Sequence, residues 1–256
     1  MTLQQPPDLR SDLWAGLKQG VLFATAALVL VLPPGRAALP GAASAVAAAP
    51  APHFFQGADF AGHPATEDAR FIADWAADSA DSRGLPYIIL DKRDARVFVF
   101  TAAGRLIDAS PVLLGATPGD DAVSDIGTRP MASVRQDEKT TPAGRFVGQA
   151  GKNASGEDVV WVDYADAVSM HRVRLVDPKE RRLERLASPD PTQRRISYGC
   201  INVPVAFFES VVWPLLSTTR AVVYVLPEVR DVHQIFAAAY SSPLKPTADS
   251  TSEARL

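Results

Sequence analysis

The sequence predicts a mainly β domain with peripheral helices, of the α+β class. Short runs of β-branched and aromatic residues alternate with turn residues between positions 86 and 115, a spacing typical of antiparallel strands joined by tight turns. Apolar residues at helical spacing occur before those runs and again at 205–216. A chain of 256 residues is long enough to bury its core in one large domain or in two smaller ones.

The first 45 residues predict an export segment. Arg10 and Lys18 precede an uncharged apolar run from Val21 to Leu32, which has the length of a signal peptide and is short for a membrane span. Small residues at 43–47 offer cleavage sites. A cleaved signal peptide and an uncleaved anchor are the two alternatives, and both predict a periplasmic or cell-envelope protein. Contact with the membrane is predicted only through this segment and only if it is uncleaved.

Two segments lie between the export segment and the strands. Residues 46–64 predict a flexible linker, because they are rich in Ala, Pro and Gly and lack periodicity. Residues 65–85 predict a helical lead-in, with Thr66 as the N-cap and Glu67 in the first turn, where an acid suits the helix dipole. One apolar face of that helix holds Phe71, Ile72 and Trp75.

Residues 86–228 are predicted to form the main domain, and 229–256 a last helix followed by a disordered tail. A long polar loop covers 116–138, and 158–173 predicts one long strand or a hairpin. Asp177, followed by a proline and a glutamate, has the form of a helix start. The other predicted strands are 86–90, 96–100, 105–109, 112–115 and 221–226; a turn at 141–147 is predicted to lead into a further strand, and a helix is predicted at 205–216.

Cys200 is the one cysteine of the chain. In an exported protein it has no partner for an internal disulfide, so it is either a small core residue or a reactive thiol. His171, separated from Cys200 by 28 residues, is the one histidine of the strand-rich body. If the segment between them loops back, the imidazole could take the thiol proton and later return it to a leaving amine.

The residues around the cysteine suggest further roles. Gly199 allows a sharp turn, after which its amide and that of Cys200 could hold an oxyanion. Ser197 and Tyr198 could orient the imidazole through a backbone carbonyl or the serine hydroxyl. From the residues alone, a buried structural cysteine and a catalytic one both remain open.

A basic segment separates the histidine from the cysteine. Residues 172–195 contain eight Arg and Lys and four acids. They are either a solvated surface with intrahelical ion pairs or a cationic lid that meets a substrate carboxylate. The second alternative makes Arg172, Arg194 and Arg195, together with Asn202, candidates for substrate binding.

Several classes of partner are excluded. A net charge of −3 gives no electrostatic case for nucleic acid. One cysteine and four scattered histidines form no cluster with metal-ligand spacing. The chain has neither a dinucleotide-binding Gly-x-Gly-x-x-Gly after a strand nor a Walker loop, so no metal and no cofactor are predicted.

Two motifs resemble those of one known family. His171 followed by the run Ser197 to Asn202 resembles the active-site signature of L,D-transpeptidases, the YkuD-type catalytic domain. The run Thr141 to Phe146 resembles the Thr-Pro-x-Gly-x-Phe turn of the same family. The resemblance covers about Pro86 to Pro227, with Tyr198 where the family often has histidine and Arg172 where glycine is common.

The resemblance implies a β-sandwich-like core and acyl transfer on peptidoglycan. Cys200 would attack the carbonyl that joins a diaminopimelate-type residue to the terminal D-alanine of a tetrapeptide stem, with His171 as general base and acid. A second stem would resolve the thioester as a 3→3 cross-link, water would hydrolyse it, and a lipoprotein lysine would make the protein an anchoring enzyme.

Two other functions are kept as alternatives. A sortase-like transpeptidase also places a histidine before a cysteine on a β-rich fold, with Arg220 as the oxyanion partner, although no Thr-Leu-x-Thr-Cys run precedes the thiol. A non-catalytic cell-wall-binding domain would keep the fold without the chemistry.

Overall fold

The computed structural model describes residues 57–123 and 125–237. The predicted export segment, most of the predicted linker and the tail from residue 238 lie outside the described residues, so the domain boundaries there stay predictions. Within the described ranges, none of the helices combines the length and the apolar character needed to cross a membrane.

A mixed sheet of eight strands forms the body of the protein. The strands of the protein are β1 (Tyr87–Asp91), β2 (Arg96–Phe100), β3 (Leu106–Pro111), β4 (Leu114–Gly115), β5 (Gly144–Lys152), β6 (Asp158–Asp163), β7 (Val168–Arg172), β8 (Arg195–Ser197), β9 (Ile201–Val203) and β10 (Ala221–Val225). The large sheet has the order β3-β2-β1-β10-β5-β6-β7-β9, and β4 pairs with β8 in a second, two-stranded sheet. Parallel pairing of β1 with β10 and of β7 with β9 interrupts an otherwise antiparallel arrangement.

In the ranges 57–123 and 125–237, five short or medium α-helices accompany the sheet. They are α1 (Glu67–Ser79), α2 (Arg182–Ala187), α3 (Val205–Phe207), α4 (Trp213–Leu216) and α5 (Val232–Ile235). A π turn at Phe208–Val212 joins α3 to α4. Pro214 has no amide hydrogen for the regular helical ladder, which accounts for an irregularity at this place.

Apolar residues cover both faces of the sheet. One core cluster joins the sheet to the helical segment 205–216, and a second joins the other face to α1. Every residue of β1 and of β10 is buried, which is why both strands read as continuous apolar runs without alternation. The predicted fold class, mainly β with peripheral helices, is confirmed.

The local elements predicted from the sequence agree with the structure in type, but their lengths differ. Thr66 caps α1 by accepting a hydrogen bond from the amide of Ala69 at 3.2 Å, and 158–173 forms the hairpin β6–β7. Asp177 accepts from the amide of Lys179 at 2.9 Å, but the turn it starts is a 3-10 turn that ends at Arg181. Strands β8 and β9, on either side of the cysteine, were not predicted because three residues are too few for a pattern.

Candidate active site

Two neighbouring parallel strands bring the histidine and the cysteine together. In the register of β7 with β9, Met170 lies opposite Ile201 and His171 opposite Asn202. Cys200 directly precedes β9 and therefore meets the same stretch of β7. The basic segment between the two strands provides the crossover that parallel pairing requires.

The environment of Cys200 favours the thiolate. Its Sγ lies 3.6 Å from Ser169 Oγ and 3.6 Å from the carbonyl oxygen of Ala167, and the imidazole of His171 is close enough to act on its pKa. Burial raises the pKa of the thiol, but the hydrogen bond and charge of His171, assisted by the backbone amide and hydroxyl of Ser169, outweigh burial and lower the pKa below its ordinary value. A cysteine with a lowered pKa is a nucleophile rather than an inert core residue.

The tautomer of His171 is set by its neighbour along the chain. Nδ1 lies 2.7 Å from the carbonyl oxygen of Arg172. Because a carbonyl can only accept, Nδ1 carries a proton in this bond, and Nε2 is the basic nitrogen of the neutral ring. The prediction that Ser197 and Tyr198 orient the imidazole is therefore wrong, since an acceptor one residue away already holds Nδ1.

Ser197 instead closes the turn that carries the cysteine. Its Oγ donates to the carbonyl of Cys200 at 2.6 Å and accepts from the amide of Gly199 at 3.1 Å. The amide of Gly199 is thus engaged inside the turn, which contradicts its predicted role in holding an oxyanion. Tyr198 is partly exposed, and the Lys139 ammonium lies 4.1 Å from the centre of its ring.

The turn that starts at Thr141 is hydrogen-bonded to the turn that carries Cys200. Thr141 is fully buried; its Oγ1 donates to the carbonyl of Gly199 at 2.9 Å and accepts from the amide of Gly115 at 2.9 Å. The carbonyl of Thr141 accepts in turn from Nζ of Lys92 at 2.7 Å. Sequence reasoning missed Lys92 because it lies in a polar stretch that predicts an exposed turn.

A cavity of about 140 Å³ opens beside the thiol. Its walls come from the 116–143 loop, from the β6–β7 turn and from the cysteine turn. Arg129 and Glu138 lie in the wall as an ion pair with a 2.6 Å contact. The hydrogen bond from Arg129 holds the pKa of Glu138 below its ordinary value.

Three of the predicted substrate-binding residues serve the fold instead. Asn202 is 1% exposed and joins the carbonyl of Cys200, at 3.2 Å, to the guanidinium of Arg182, at 2.6 Å. Arg194 is buried and donates to the carbonyl of Ser188 at 2.6 Å and to that of Asp94 at 3.1 Å. For both residues the prediction is wrong, because Asn202 bonds the carbonyl of Cys200 and the partly buried guanidinium of Arg182, and Arg194 donates to backbone carbonyls of the fold.

The same correction holds for Arg195, whereas Arg172 lies beside the site. Arg195 donates to the carbonyl of Lys92 at 2.7 Å and pairs with Glu228, so its charge is used away from the thiol. Arg172 lines a second cavity of about 330 Å³ together with His171. Its guanidinium pairs with Glu209 at 2.5 Å and lies over the ring of Phe208.

Two cations of the basic segment, Arg172 and Arg174, thus line the cavity that His171 also lines. Among the described residues, no group of three His, Cys, Asp or Glu side chains has a geometry that could hold a metal ion.

We expect Gly199→Ala to disturb the site. Gly199 has φ +132°, and a Cβ added there would lie 2.6 Å from the carbonyl oxygen of Thr140. The turn would have to shift and displace the thiol, lowering the rate of its acylation by about 10- to 100-fold. Gly156→Ala is the matched control, because Gly156 also has positive φ (+79°) but no atom within 4 Å of the added Cβ. Equal rates for the two variants, measured by intact mass after exposure to a β-lactam, would contradict this.

No protein-family model matches the chain. No curated protein matches it either. Among solved structures, the chain is similar to the Ldtfm–avibactam carbamoyl enzyme, with 15% identity and a TM-score of 0.32 over 55% of this chain and 49% of that one. The chain thus spans about half the length of that protein.

Two further solved structures are similar. One is a mutant of the helical cell shape determining protein Pgp2 from Campylobacter jejuni, with 12% identity and a TM-score of 0.37 over 68% of this chain and 62% of that one. The other is the catalytic domain of the E. faecium L,D-transpeptidase, with 15% identity and a TM-score of 0.29 over 54% of this chain and 96% of that one. One of these three solved structures is thus the catalytic domain of an L,D-transpeptidase.

Proposed function

We propose that this protein is a cysteine-dependent L,D-transpeptidase that acts on the tetrapeptide stems of peptidoglycan. The observation that carries the proposal is the thiol of Cys200 at the wall of a cavity, with a pKa that the imidazole of His171 on the neighbouring strand lowers. The motif around Cys200 and the turn at Thr141 supply the substrate class by resemblance.

The geometry supports a two-step acyl transfer. The Cys200 thiolate attacks the carbonyl before the terminal D-alanine, and the negative charge passes to the carbonyl oxygen. His171, protonated at both nitrogens after taking the thiol proton, gives the Nε2 proton to the departing amine of D-alanine, and the C–N bond breaks to leave a thioester. An incoming amine then attacks the thioester, its proton passes to Nε2, and the C–S bond breaks to release the Cys200 thiolate beside the protonated His171.

Of the two amides predicted to hold the oxyanion, those of Gly199 and Cys200, only that of Cys200 remains available. The amide of Gly199 is used by Ser197, whereas the amide of Cys200 makes no hydrogen bond to the described part of the chain. In the proposed reaction the Cys200 amide therefore donates to the oxyanion. The acceptor is a second stem in a cross-linking enzyme, a lipoprotein lysine in an anchoring enzyme, or water in a carboxypeptidase, and export of the chain would place the reaction in the cell envelope.

The test is covalent labelling of the purified protein by a carbapenem, a β-lactam whose ring opening acylates the thiol. We expect the intact mass to rise by the mass of one carbapenem and the Cys200→Ala variant to stay unmodified. Release of D-alanine from a tetrapeptide stem then tests the substrate. A wild-type protein that stays unlabelled while its fold is intact would refute the cysteine chemistry and favour the non-catalytic cell-wall-binding domain.

The position of Arg220 argues against the sortase-like alternative. Arg220 directly precedes β10, which lies between β1 and β5, whereas the cysteine lies next to β7. Arg220 lines a separate cavity with Leu85 and Ala150. Its guanidinium is therefore not the oxyanion partner that the sortase-like mechanism needs, and a sorting-signal peptide supplied beside a tetrapeptide stem should release no product.

A further inference from the structure

Three charged side chains line the cavity beside the thiol, Arg129, Glu138 and Asp166, and one of them has no partner among the described residues. Asp166 lies in the cavity wall, next to Ala167, whose carbonyl contacts Sγ of Cys200. The backbone amide of Asp166 donates to Asp163 at 3.2 Å, but its carboxylate makes no hydrogen bond or ion pair with residues 57–123 or 125–237. Burial, and to a lesser extent the charge of Asp163, raise the pKa of Asp166, as expected for a carboxylate that nothing in the protein compensates.

The other two charges of the cavity compensate each other. Nη1 and Nη2 of Arg129 donate to the two carboxylate oxygens of Glu138, at 3.3 and 2.6 Å. Glu138 accepts a further bond from the amide of Arg135 at 2.8 Å. Asp166 is therefore the charged residue of the cavity wall that has no ion-pair partner among the described residues, and its charge is negative.

The rest of the wall is largely apolar. It includes Val123, Ile126, Met131, Val134 and Val168. An apolar channel with one carboxylate suits a chain of methylene groups that ends in an ammonium, because the methylenes contact the wall while the charge reaches the acid. The volume, about 140 Å³, is that of a side chain rather than of a second peptide.

We propose that Asp166 binds the distal side-chain ammonium of the diamino acid whose carbonyl Cys200 attacks. Asp166 is thus a specificity-determining residue that selects stems with an amine on the third residue. The assignment rests on the proposed function, since it takes the acyl donor to be a peptide stem. It extends that function by stating which group of the stem is recognised and by which residue.

The experiment compares two tetrapeptide stems that differ by one amine. One carries meso-diaminopimelate at the third position, and the other carries 2-aminopimelate, which lacks only the distal amine. Binding is measured by titration calorimetry on the full-length Cys200→Ala protein, so that no turnover interferes. We expect the diaminopimelate stem to bind about 10- to 100-fold more tightly, as a charge-assisted hydrogen bond in a partly buried site requires.

Asp166→Asn in the same background should abolish this preference. Asp78→Asn, which removes the same charge from an exposed position of α1, should retain it. Thermal melting of each variant establishes that it is folded. Equal affinities for the two stems, or no binding of either stem to the folded Cys200→Ala protein, would overturn the assignment of Asp166.

Release of D-alanine by the wild-type protein separates this inference from the proposed function. Equal kcat/KM for the two stems would overturn the role of Asp166 and leave the transpeptidase function standing. A preference for diaminopimelate in binding without any release of D-alanine would support the ammonium site and refute the reaction.

Discussion

Replacing His171 with alanine is expected to slow acylation of Cys200 by about 10²- to 10⁴-fold, the usual cost of removing a general base. The imidazole lowers the pKa of the thiol through a hydrogen bond and through its charge. Without it, burial still raises the thiol pKa while only Ser169 acts in the opposite direction, so the thiolate fraction at neutral pH falls. The rate of carbapenem adduct formation, followed by intact mass, measures the loss.

The pH profile of thiol alkylation gives a second measurement of the same residue. Because the folded thiol has a lowered pKa, the reaction of wild-type protein with iodoacetamide should reach half its maximal rate below the ordinary thiol value of about 8.5. In His171→Ala the midpoint should move to higher pH. His63→Ala is the control, since His63 lies ahead of α1 and should leave both rate and midpoint unchanged. A variant of His171 that reacts as fast as wild type, with the same midpoint, would show that another group is the base.

The parts of the site that could be predicted from sequence are those encoded by short, local patterns. The strands came from apolar runs with turns between them, and Cys200, His171 and Thr141 came from motifs in a recognisable order. In the structure His171 lies on β7 and Cys200 directly precedes β9, the adjacent parallel strand. Thr141 hydrogen-bonds the carbonyl of Gly199 in the cysteine turn.

Hydrogen-bond partners could not be predicted, because they depend on which atoms a strand register brings within 3 Å. Nothing in the sequence distinguishes the carbonyl of Arg172 from that of Tyr198 as the partner of His171 Nδ1. The same limit explains the wrong roles given to Gly199 and Asn202, whose polar groups are satisfied inside the turn.

The burial of charged side chains could not be predicted from the sequence either. Arg194 and Lys92 look like surface residues, since charged side chains are rarely buried unless paired. Their acceptors come from distant parts of the chain: Arg194 donates to a carbonyl 100 residues away, and Lys92 to one 49 residues away. Single-sequence patterns carry no information about contacts of this range.

Lys92 is a buried charged residue that hydrogen-bonds a residue supporting the active site. Its Nζ is fully buried and contacts Asp120 Oδ1 at 2.8 Å, the carbonyl of Thr141 at 2.7 Å and the carbonyl of Gly119 at 2.5 Å. All three partners can only accept, so three N–H groups are needed, and only the charged ammonium has three. Burial lowers the pKa of Lys92, although the charges of Asp120 and Glu228 oppose this effect. The pKa of Asp120 falls to about 2, because hydrogen bonds from Lys92 and from backbone amides outweigh the effect of its burial.

Replacing Lys92 with methionine should therefore destabilise the protein by about 3–5 kcal/mol, the usual cost of leaving one partner of a buried ion pair without the other. Urea denaturation measures this loss. Lys152→Met is the matched control: Lys152 pairs with Asp158 at the same 2.8 Å but is 67% exposed, so the variant should lose no more than about 1 kcal/mol. Equal losses in the two variants would show that the buried pair contributes nothing beyond a surface one.

The same substitution tests whether the ion pair also positions the nucleophile. The ammonium holds the carbonyl of Thr141, the hydroxyl of Thr141 holds the carbonyl of Gly199, and Gly199 precedes Cys200. In Lys92→Met, assayed below its unfolding transition, acylation of Cys200 should slow while the pH midpoint of alkylation stays in place, because His171 and Ser169 still contact the thiol. Adding Asp120→Asn should recover neither the stability nor the rate, because both carboxylate oxygens of Asp120 also accept from backbone amides of residues 228–230, one of which the Asn NH2 would oppose, and Thr141 still lacks its donor. Recovery of both quantities together would mean that Lys92 acts on the site through stability alone.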